Sequence, residues 1–226
     1  MSPAPPMGVL TVPTSTAAGV LATLEERSRR EQAELDRLNS IGAGATRAAA
    51  PGLMLDVGPD VGRLLNALVR IVGAKQVLEI GGSVGYSTIW LADAAAAVGG
   101  RVVSVEPDPG KAAQLRDNVA AAGFADQVEV LQEDIADVLP RLSGPLDLVL
   151  IDHWKDLYVR EFDAVWPLVR TGGVVIADNV LLPEATRPQM RDYQEHVQAA
   201  VGAYSLTLPL GDGVELTWQT GSGASP

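Results

Sequence analysis

The stretch with the strongest chemical signature is LDLVLIDHWKDLY, residues 146–158 of the 226-residue chain. Its first half is a continuous apolar run, which is typical of a strand buried on both faces of a parallel sheet. The run stops at Asp152, and Lys155 follows three residues later, close to one helical turn, so both side chains can face one pocket. Ligands of open parallel sheets bind beyond the carboxyl ends of the strands, so a site is expected at this junction.

A second apolar run, GVVIADN at residues 173–179, ends in Asp178 and Asn179. If the two strands are neighbours, Asp152, Asp178 and Asn179 bring three oxygen donors to one edge of the sheet. Hard divalent cations such as Mg²⁺ bind preferentially to oxygen donors of this kind. The pattern therefore predicts a metal site, although each of these residues alone would indicate no more than a helix cap or a turn.

A glycine-rich turn, EIGGSVGYS at residues 79–87, follows an earlier apolar run. Its glycines, Gly81 among them, would let the backbone approach a ligand, and the free amides at the helix start favour an anionic group. Glu106 ends the next predicted strand, where a carboxylate can accept both hydroxyls of a ribose. The GGSVG spacing departs from the dinucleotide fingerprint GxGxxG. Glu79 would oppose a pyrophosphate but could help to place a methionine ammonium, so the turn favours S-adenosylmethionine over NAD.

Composition narrows the class of partner. The formal net charge of −11 opposes binding to nucleic acid, which depends on Lys and Arg meeting phosphates, so we expect a small-molecule substrate. The chain has no cysteine, which excludes a disulfide framework, a thiolate zinc site and a cysteine nucleophile. No apolar run approaches the roughly 20 residues that span a bilayer, and no signal-peptide pattern begins the chain, so we expect no membrane contact and a cytoplasmic protein.

Helix and strand patterns alternate through most of the chain, which predicts an α/β class with a single Rossmann-like, doubly wound sheet and helices on both faces. Predicted strands lie at 76–80, 101–106, 128–131, 147–152 and 174–178, and predicted helices at 17–39, 59–72, 86–97, 109–122, 135–142, 159–168 and 187–200. Residues 205–210 and 214–220 flank a GDG turn, which predicts an antiparallel hairpin at the sheet edge. The sheet is therefore expected to be mostly parallel.

The predicted organisation is a flexible leader at 1–15, one domain at 16–220 whose part 16–55 is helical, and a tail at 221–226. Thr16 is the predicted cap of the first helix. The predicted helix at 17–39 could pack on the domain or cover the site. Its charged segment 25–34 indicates a solvated helix face, with a dimer contact as the alternative. Residues 41–52 form a connector that could be a loop or a short helix.

Four segments resemble, in the right order, the motifs of the cation-dependent class I S-adenosylmethionine O-methyltransferases. They are VLEIGGSVGYSTIWLA, RVVSVEPD, LDLVLIDHWKDLY and GGVVIADNVL, and DHWKD is especially similar to catechol O-methyltransferase. The resemblance covers about residues 55–220. It implies S-adenosylmethionine and Mg²⁺ as cofactors and, since related bacterial enzymes are often dimers, it makes a homodimer an option.

The resemblance also implies roles for individual residues. Val57 and Ser87 would contact the methionine portion of the cofactor, Glu106 the ribose, Ile135 and Ala136 the adenine, and His153 and Trp154 would close over it. Asp152, Asp178 and Asn179 would bind Mg²⁺, and Lys155 would be the general base. Lys155, Asn179 and Gln189 would contact the acceptor.

The expected reaction is methyl transfer to one hydroxyl of a vicinal aromatic diol. A cation that chelates both hydroxyls would lower their pKa, and the nearby charge would favour neutral Lys155 as the acceptor of the proton. The sequence departs from the family at the glutamate that binds the second hydroxyl: the best alignment places Gln189 there, with Glu184 as an alternative. A glutamine can hydrogen-bond a hydroxyl but cannot take its proton.

Three other functions remain open at this point. The same fold could methylate another hydroxylated acceptor, such as a polyphenol, a natural-product intermediate or a tRNA nucleoside. A nucleotide-binding module without catalysis would bind the cofactor and transfer no methyl group. An NAD oxidoreductase would be stabilised by NAD rather than by S-adenosylmethionine.

Overall fold

The computed structural model describes residues 13–221. The predicted leader lies outside this range except for its last three residues, and the predicted tail lies outside it except for Gly221. Among the residues described, no helix combines the length and the apolar character needed to cross a bilayer.

Seven strands form one sheet: β1 (Gln76–Ile80), β2 (Arg101–Val105), β3 (Val128–Leu131), β4 (Leu146–Ile151), β5 (Val169–Ala177), β6 (Ala203–Leu208) and β7 (Val214–Gln219). Their spatial order is β3-β2-β1-β4-β5-β7-β6. The first five are parallel, whereas β7 pairs antiparallel with both β5 and β6. The predicted fold class, including the antiparallel hairpin at the edge, is confirmed.

Eight α-helices surround the sheet: α1 (Ser15–Ile41), α2 (Ala43–Ala49), α3 (Gly58–Val72), α4 (Tyr86–Val98), α5 (Pro109–Ala121), α6 (Ile135–Val138), α7 (Tyr158–Val165) and α8 (Arg187–Ala199). Helices α3 to α5 cover one face of the sheet, where Leu148 and Leu150 of β4 point. Helices α7 and α8 cover the other face, where Val149 and Ile151 point. Every residue of β4 is buried, as its unbroken apolar pattern predicts.

Several predicted boundaries were wrong by a few residues. The predicted helices 135–142 and 159–168 each change to a 3₁₀ turn, at Leu139–Arg141 and Trp166–Leu168, since each turn contains a proline that lacks the N–H of a regular helix. Strand β5 begins at Val169, five residues before the predicted start, because its early residues pair with β4 across an irregularity in the register.

The N-terminal helix differs from the prediction in its cap and in its environment. Thr14, not Thr16, caps α1, and its own backbone N–H donates to Asp93 Oδ1 at 2.9 Å. The predicted solvated face at 25–34 is wrong in part, because two of its acidic residues contact the domain. Glu25 Oε1 accepts from Tyr86 Oη at 2.9 Å, and Glu31 Oε2 accepts from Met54 N at 2.7 Å. The connector contains α2 and a 3₁₀ turn at Ala50–Gly52.

Asp147 joins three strands at the amino end of the parallel sheet. Its Oδ2 accepts from Lys75 N and Gln76 N, both at 2.8 Å, and its Oδ1 accepts from Arg170 Nε. Arg170 Nη2 also donates to Val72 O at 3.1 Å, at the end of α3. Burial opposes ionisation here, but the hydrogen bonds from Arg170 and the two amides outweigh it and lower the pKa of Asp147.

We expect Asp147→Asn to lower the free energy of unfolding at neutral pH by about 2 kcal/mol, since a charge-assisted bond to Arg170 is lost. A carboxyl whose pKa is lowered by folding contributes its full stability above its unfolded pKa of about 3.9 and loses it as the pH falls towards the folded pKa, so the deficit should begin to shrink as urea unfolding is repeated down to pH 3. The exposed Asp126→Asn is the control. A deficit that stays constant down to pH 3 would contradict the electrostatic explanation.

Candidate active site

A cavity of about 680 Å³ opens at the carboxyl ends of the parallel strands. Its floor consists of the loops that follow β1 to β5. Its roof consists of the C-terminal end of α1 and of α2, through Leu35, Asn39, Thr46 and Arg47. The sequence placed the site at this edge and left open whether the N-terminal helix packs on the domain or covers the site. Helix α1 does both, since Leu21 and Leu24 lie in the core and Leu35 and Asn39 line the cavity.

Backbone hydrogen bonds continue for one residue beyond the strands and hold the first residues of the neighbouring loops side by side. Gly81 N donates to Val105 O at 3.0 Å, and Asp152 N donates to Ile80 O at 2.9 Å. Asp178 N donates to Ile151 O at 3.2 Å. The first residue after each strand is therefore fixed by the neighbouring strand, which is how the parallel register brings distant residues into one site.

Gly81 is the closest point between two of these loops. It has a φ of +97°, and a Cβ on its backbone would lie 2.0 Å from Asp152 O. No other residue type could adopt this conformation and leave the contact intact. The glycine-rich turn therefore lies directly against the loop that carries Asp152 and His153.

Glu106 lies on the cavity wall at the end of β2. Its Oε2 accepts from Ser83 N at 2.8 Å, and its Oε1 accepts from Asp108 N at 2.9 Å. Burial raises the pKa of this carboxyl, and the two amides act in the opposite direction. The two hydrogen bonds from backbone amides fix the orientation of the carboxylate, which is the arrangement expected of a group that holds a ribose.

Glu79 lies beneath the glycine-rich turn and does not line the cavity. Its Oε2 accepts from Thr88 Oγ1 and Ser104 Oγ, both at 2.5 Å. Its Oε1 is buried without a hydrogen-bond partner among residues 13–221, and burial raises the pKa of the carboxyl. Glu79 therefore does not face the cavity, and its help in placing a methionine ammonium, directly or through water, stays a prediction.

Lys155 occupies the centre of a buried polar cluster at the ends of β4 and β5. Its Nζ donates to Asn179 Oδ1 at 2.8 Å and to Tyr158 Oη at 2.5 Å, and it lies 3.6 Å from Asp152 Oδ1. Asp178 is buried behind this group, and its Oδ1 has no hydrogen-bond partner in the part of the chain described. The structure thus brings together Asp152, Asp178, Asn179 and Lys155, which the sequence grouped as metal-binding and catalytic residues.

The charges of this cluster oppose one another. Burial raises the pKa of Asp152 and of Asp178, and for Asp178 the neighbouring Asp152 carboxylate adds to the effect. Burial lowers the pKa of Lys155, although the carboxylates of Asp152 and Asp178 act against this. Two carboxylates withdrawn from water beside a single amine leave an excess of negative charge.

The cluster fits a hard divalent cation. Asp178 Oδ1 is a buried acceptor to which none of residues 13–221 donates, Asp152 supplies a second oxygen, and Asn179 Oδ1 supplies a third that also accepts from Lys155. Added positive charge would relieve the repulsion between the carboxylates. Within residues 13–221, no three His, Cys, Asp or Glu side chains group as metal ligands, so the amide oxygen of Asn179 is needed to complete the set.

His153 and Trp154 line the cavity beside this cluster. His153 Nε2 lies 2.8 Å from Glu161 Oε1, which is an ion-pair distance without the alignment of a hydrogen bond. The guanidinium of Arg47 lies over the Trp154 ring, 4.8 Å from its centroid, and pairs with Asp156 at 3.2 Å. These contacts connect the roof to the loop after β4.

Of the other residues predicted to contact the cofactor or the acceptor, some line the cavity and some do not. Ile135 and Gln189 line the cavity, whereas Val57, Ser87, Ala136 and the alternative Glu184 do not. Val57 and Ser87 are buried in the packing beneath it. The wall residues missed by the sequence include Asp56, Ser83, Lys111 and Asp212. Most of them lie within a few residues of a predicted position, so the motifs located the segments but not the side chains that face inward.

Comparisons with known proteins agree with this geometry. A family model described as a methyltransferase domain matches residues 78–180. The catechol O-methyltransferase of Sus scrofa is 31% identical over 160 residues, which cover 68% of this chain and 82% of that protein. The chain belongs to the S-adenosylmethionine-dependent O-methyltransferase family.

Other members of the family extend the comparison. The catechol O-methyltransferase of Niastella koreensis is 37% identical over 131 residues, 56% of this chain, and the match spans only 59% of that protein. The crystal structure of an O-methyltransferase from Bacillus cereus in complex with SAH superposes with a TM-score of 0.70 at 29% identity, covering 92% of each chain. The fold of the family is thus shared over nearly the whole chain.

We expect Asp178→Asn to raise the free energy of unfolding by about 1–3 kcal/mol when the protein is measured in EDTA, since it removes one of two repelling buried charges. A carboxyl whose pKa is raised by folding destabilises the protein above its unfolded pKa of about 3.9, so the gain should vanish on acidification below that value.

Chemical unfolding in EDTA at several pH values measures this difference, and the exposed Asp137→Asn serves as the matched control. If Asp178→Asn were less stable than the wild type in EDTA at neutral pH, the carboxylate would be a stabilising group and the repulsion argument would be wrong.

Proposed function

We propose that this protein is an S-adenosylmethionine- and Mg²⁺-dependent O-methyltransferase that acts on a small, catechol-like aromatic diol. The observation that carries the proposal is the convergence of Asp152, Asp178 and Asn179 around Lys155, at one end of the cavity that Glu106 also lines. Membership of the O-methyltransferase family supports the same reaction.

The cofactor would lie between the glycine-rich turn and the roof. Glu106 would accept the ribose hydroxyls, and Gly81 would allow the methionine end to approach the backbone closely. Ile135, His153 and Trp154 would enclose the adenine. S-adenosylmethionine, when bound, supplies the methyl group as an electrophilic carbon on a sulfonium.

Asp152, Asp178 and Asn179 would hold the cation. When bound there, Mg²⁺ supplies positive charge that lowers the pKa of a hydroxyl next to it. Asn179 adopts a left-handed conformation, with a φ of +55°, that an asparagine tolerates better than most residues. Its Oδ1 accepts from Lys155 Nζ at 2.8 Å, and the same oxygen would also be a ligand of the cation.

Lys155 would accept the proton of the reacting hydroxyl at Nζ. Burial favours its neutral form, which is the form that a general base requires. Asn179 and Tyr158 hold Nζ in place, at 2.8 and 2.5 Å. Gln189 would hydrogen-bond the second hydroxyl without taking its proton.

The charge of the cavity wall supports a small acceptor rather than a nucleic acid. Carboxylates outnumber cationic side chains on it: Asp56, Glu106, Asp108, Asp134, Asp152, Asp156 and Asp212 face Arg47, Lys111 and Lys155. Such a wall repels phosphates, so a tRNA acceptor is disfavoured. The cytoplasmic location and the homodimer remain predictions.

The decisive experiment is a methyl-transfer screen over simple catechols with S-adenosylmethionine, first with Mg²⁺ and then with EDTA. Transfer is expected only with Mg²⁺, and matched monophenols should not react because they cannot chelate. Transfer that persists in EDTA would contradict the metal-dependent reaction. Binding of the cofactor without transfer to any catechol would favour a non-catalytic module or a different acceptor.

We expect Lys155→Ala to lower kcat by a factor of about 10²–10⁴, the range typical of a lost general base, while the affinity for S-adenosylhomocysteine changes little. Steady-state kinetics at saturating cofactor and isothermal titration calorimetry measure the two quantities. Lys75→Ala, which removes an exposed lysine far from the cavity, should match the wild type. Unchanged turnover in Lys155→Ala would remove this residue from the mechanism.

A further inference from the structure

Glu31 of α1 makes a contact that a solvated helix face would not make. Its Oε2 accepts from the backbone N–H of Met54 at 2.7 Å, and its Oε1 accepts from Arg27 Nε at 2.6 Å. The side chain retains only 23% of its exposure. Glu31 lies outside residues 78–180, the part of the chain that matches the methyltransferase model.

The hydrogen bond to Met54 is the first of three that lead to the cofactor end of the cavity. The carbonyl of Met54 accepts from Ser83 Oγ, and Ser83 N donates to Glu106 Oε2 at 2.8 Å. Ser83 and Glu106 both line the cavity. A continuous path of side-chain and backbone bonds therefore joins the N-terminal helix to the carboxylate proposed to hold the ribose.

The segment that Glu31 contacts has no regular structure of its own. Residues 53–57 lie between a 3₁₀ turn and α3 and form neither helix nor strand, yet Leu55 and Asp56 are part of the cavity wall. Leu55 has a φ of +54° and Ser83 has a φ of +47°, conformations that residues with a side chain seldom adopt. Such conformations persist only where the surroundings hold them, and the bonds at Met54 are available to do so.

Helix α1 can serve as a fixed support because it is attached to the domain at other points. Asp93 Oδ1 accepts from Thr14 N at 2.9 Å, and Tyr86 Oη donates to Glu25 at 2.9 Å. Its buried residues Ala17, Leu21 and Leu24 belong to the core on the α3 to α5 side of the sheet. A carboxylate presented from this helix is thus held at a set distance from the loops of the cavity.

We propose that Glu31 is a positioning residue for the cofactor: through Met54 it holds the segment 53–57 against the glycine-rich turn, so that Leu55, Ser83 and Glu106 form one preorganised binding surface. This inference rests on the part of the proposed function that concerns S-adenosylmethionine. It does not depend on the identity of the acceptor or on the metal. The N-terminal helix then belongs to the cofactor site, although none of its acidic residues lines the cavity.

The test is the affinity of the full chain for S-adenosylhomocysteine, measured by isothermal titration calorimetry. Glu31→Ala removes the acceptor for Met54 N–H and is expected to weaken binding about tenfold, equivalent to about 1.4 kcal/mol. Glu31→Gln keeps a carbonyl oxygen that can accept from Met54 N–H, so it should bind within about twofold of the wild type. Glu34→Ala, three residues along the same helix and exposed, is the matched control and should not differ from the wild type.

If Glu31→Ala does not fold, Glu31→Asp is measured instead. Aspartate keeps the negative charge opposite Arg27, but its shorter side chain cannot reach Met54 N. Glu31→Asp should therefore also bind S-adenosylhomocysteine about tenfold more weakly than the wild type. A purely structural role would lower Tm in the folded variants and leave the affinity unchanged, and that result would overturn the inference. Equal losses in Glu31→Gln and Glu31→Ala would overturn it too, because charge rather than the bond to Met54 would then matter. Failure of the wild type to bind S-adenosylhomocysteine would instead refute the proposed cofactor.

Discussion

Two carboxylates withdrawn from water at adjoining strand ends are the constraint around which this structure is organised. Burial raises the pKa of Asp152 and of Asp178, and their carboxylates repel each other. Tyr158 and Asn179 hold the amine of Lys155 between the strands, but burial lowers the pKa of this amine, so it compensates the carboxylates only weakly. The arrangement is poor for stability and well suited to a cation, which is the usual compromise of a binding site.

The rest of the fold keeps this cluster in register. The buried strand β4 places Asp152, and its pairing with β5 places Asp178 at the same level. At the opposite end of the sheet, Asp147 and Arg170 fix where β1, β4 and β5 begin. Strands β1 and β4 pair without interruption up to their carboxyl ends, so fixing where they begin also fixes where Asp152 lies, whereas β5 pairs regularly with β4 only from Val174 onward.

The sequence predicted the parts of this structure that depend on local pattern. Buried parallel strands are continuous apolar runs, and the predicted bounds of β1 and β3 agree with the structure to the residue. The position of the site was predictable from the strands, because the carboxyl ends of neighbouring parallel strands lie at the same edge of the sheet. Contacts between residues far apart in the chain leave no such pattern. Glu31 and Met54 are 23 positions apart, and Thr14 and Asp93 are 79 apart, so the inward face of α1 was not predictable from charge alone. Within the glycine-rich turn, the motif could not show that Ser83 faces the cavity rather than Ser87.

Helix α2, which covers the cavity, is attached to the rest of the fold by few contacts. This helix has no buried residue, and Arg47 joins it to the loop after β4 by one solvent-exposed ion pair and one contact with an indole ring. Bonds of these two kinds contribute only about 0–1 kcal/mol each, far less than the packing of the sheet. Displacing α2 from the cavity would break these contacts and the hydrogen bond from Thr46 Oγ1 to Asn39 Oδ1, and it would leave every strand pairing intact.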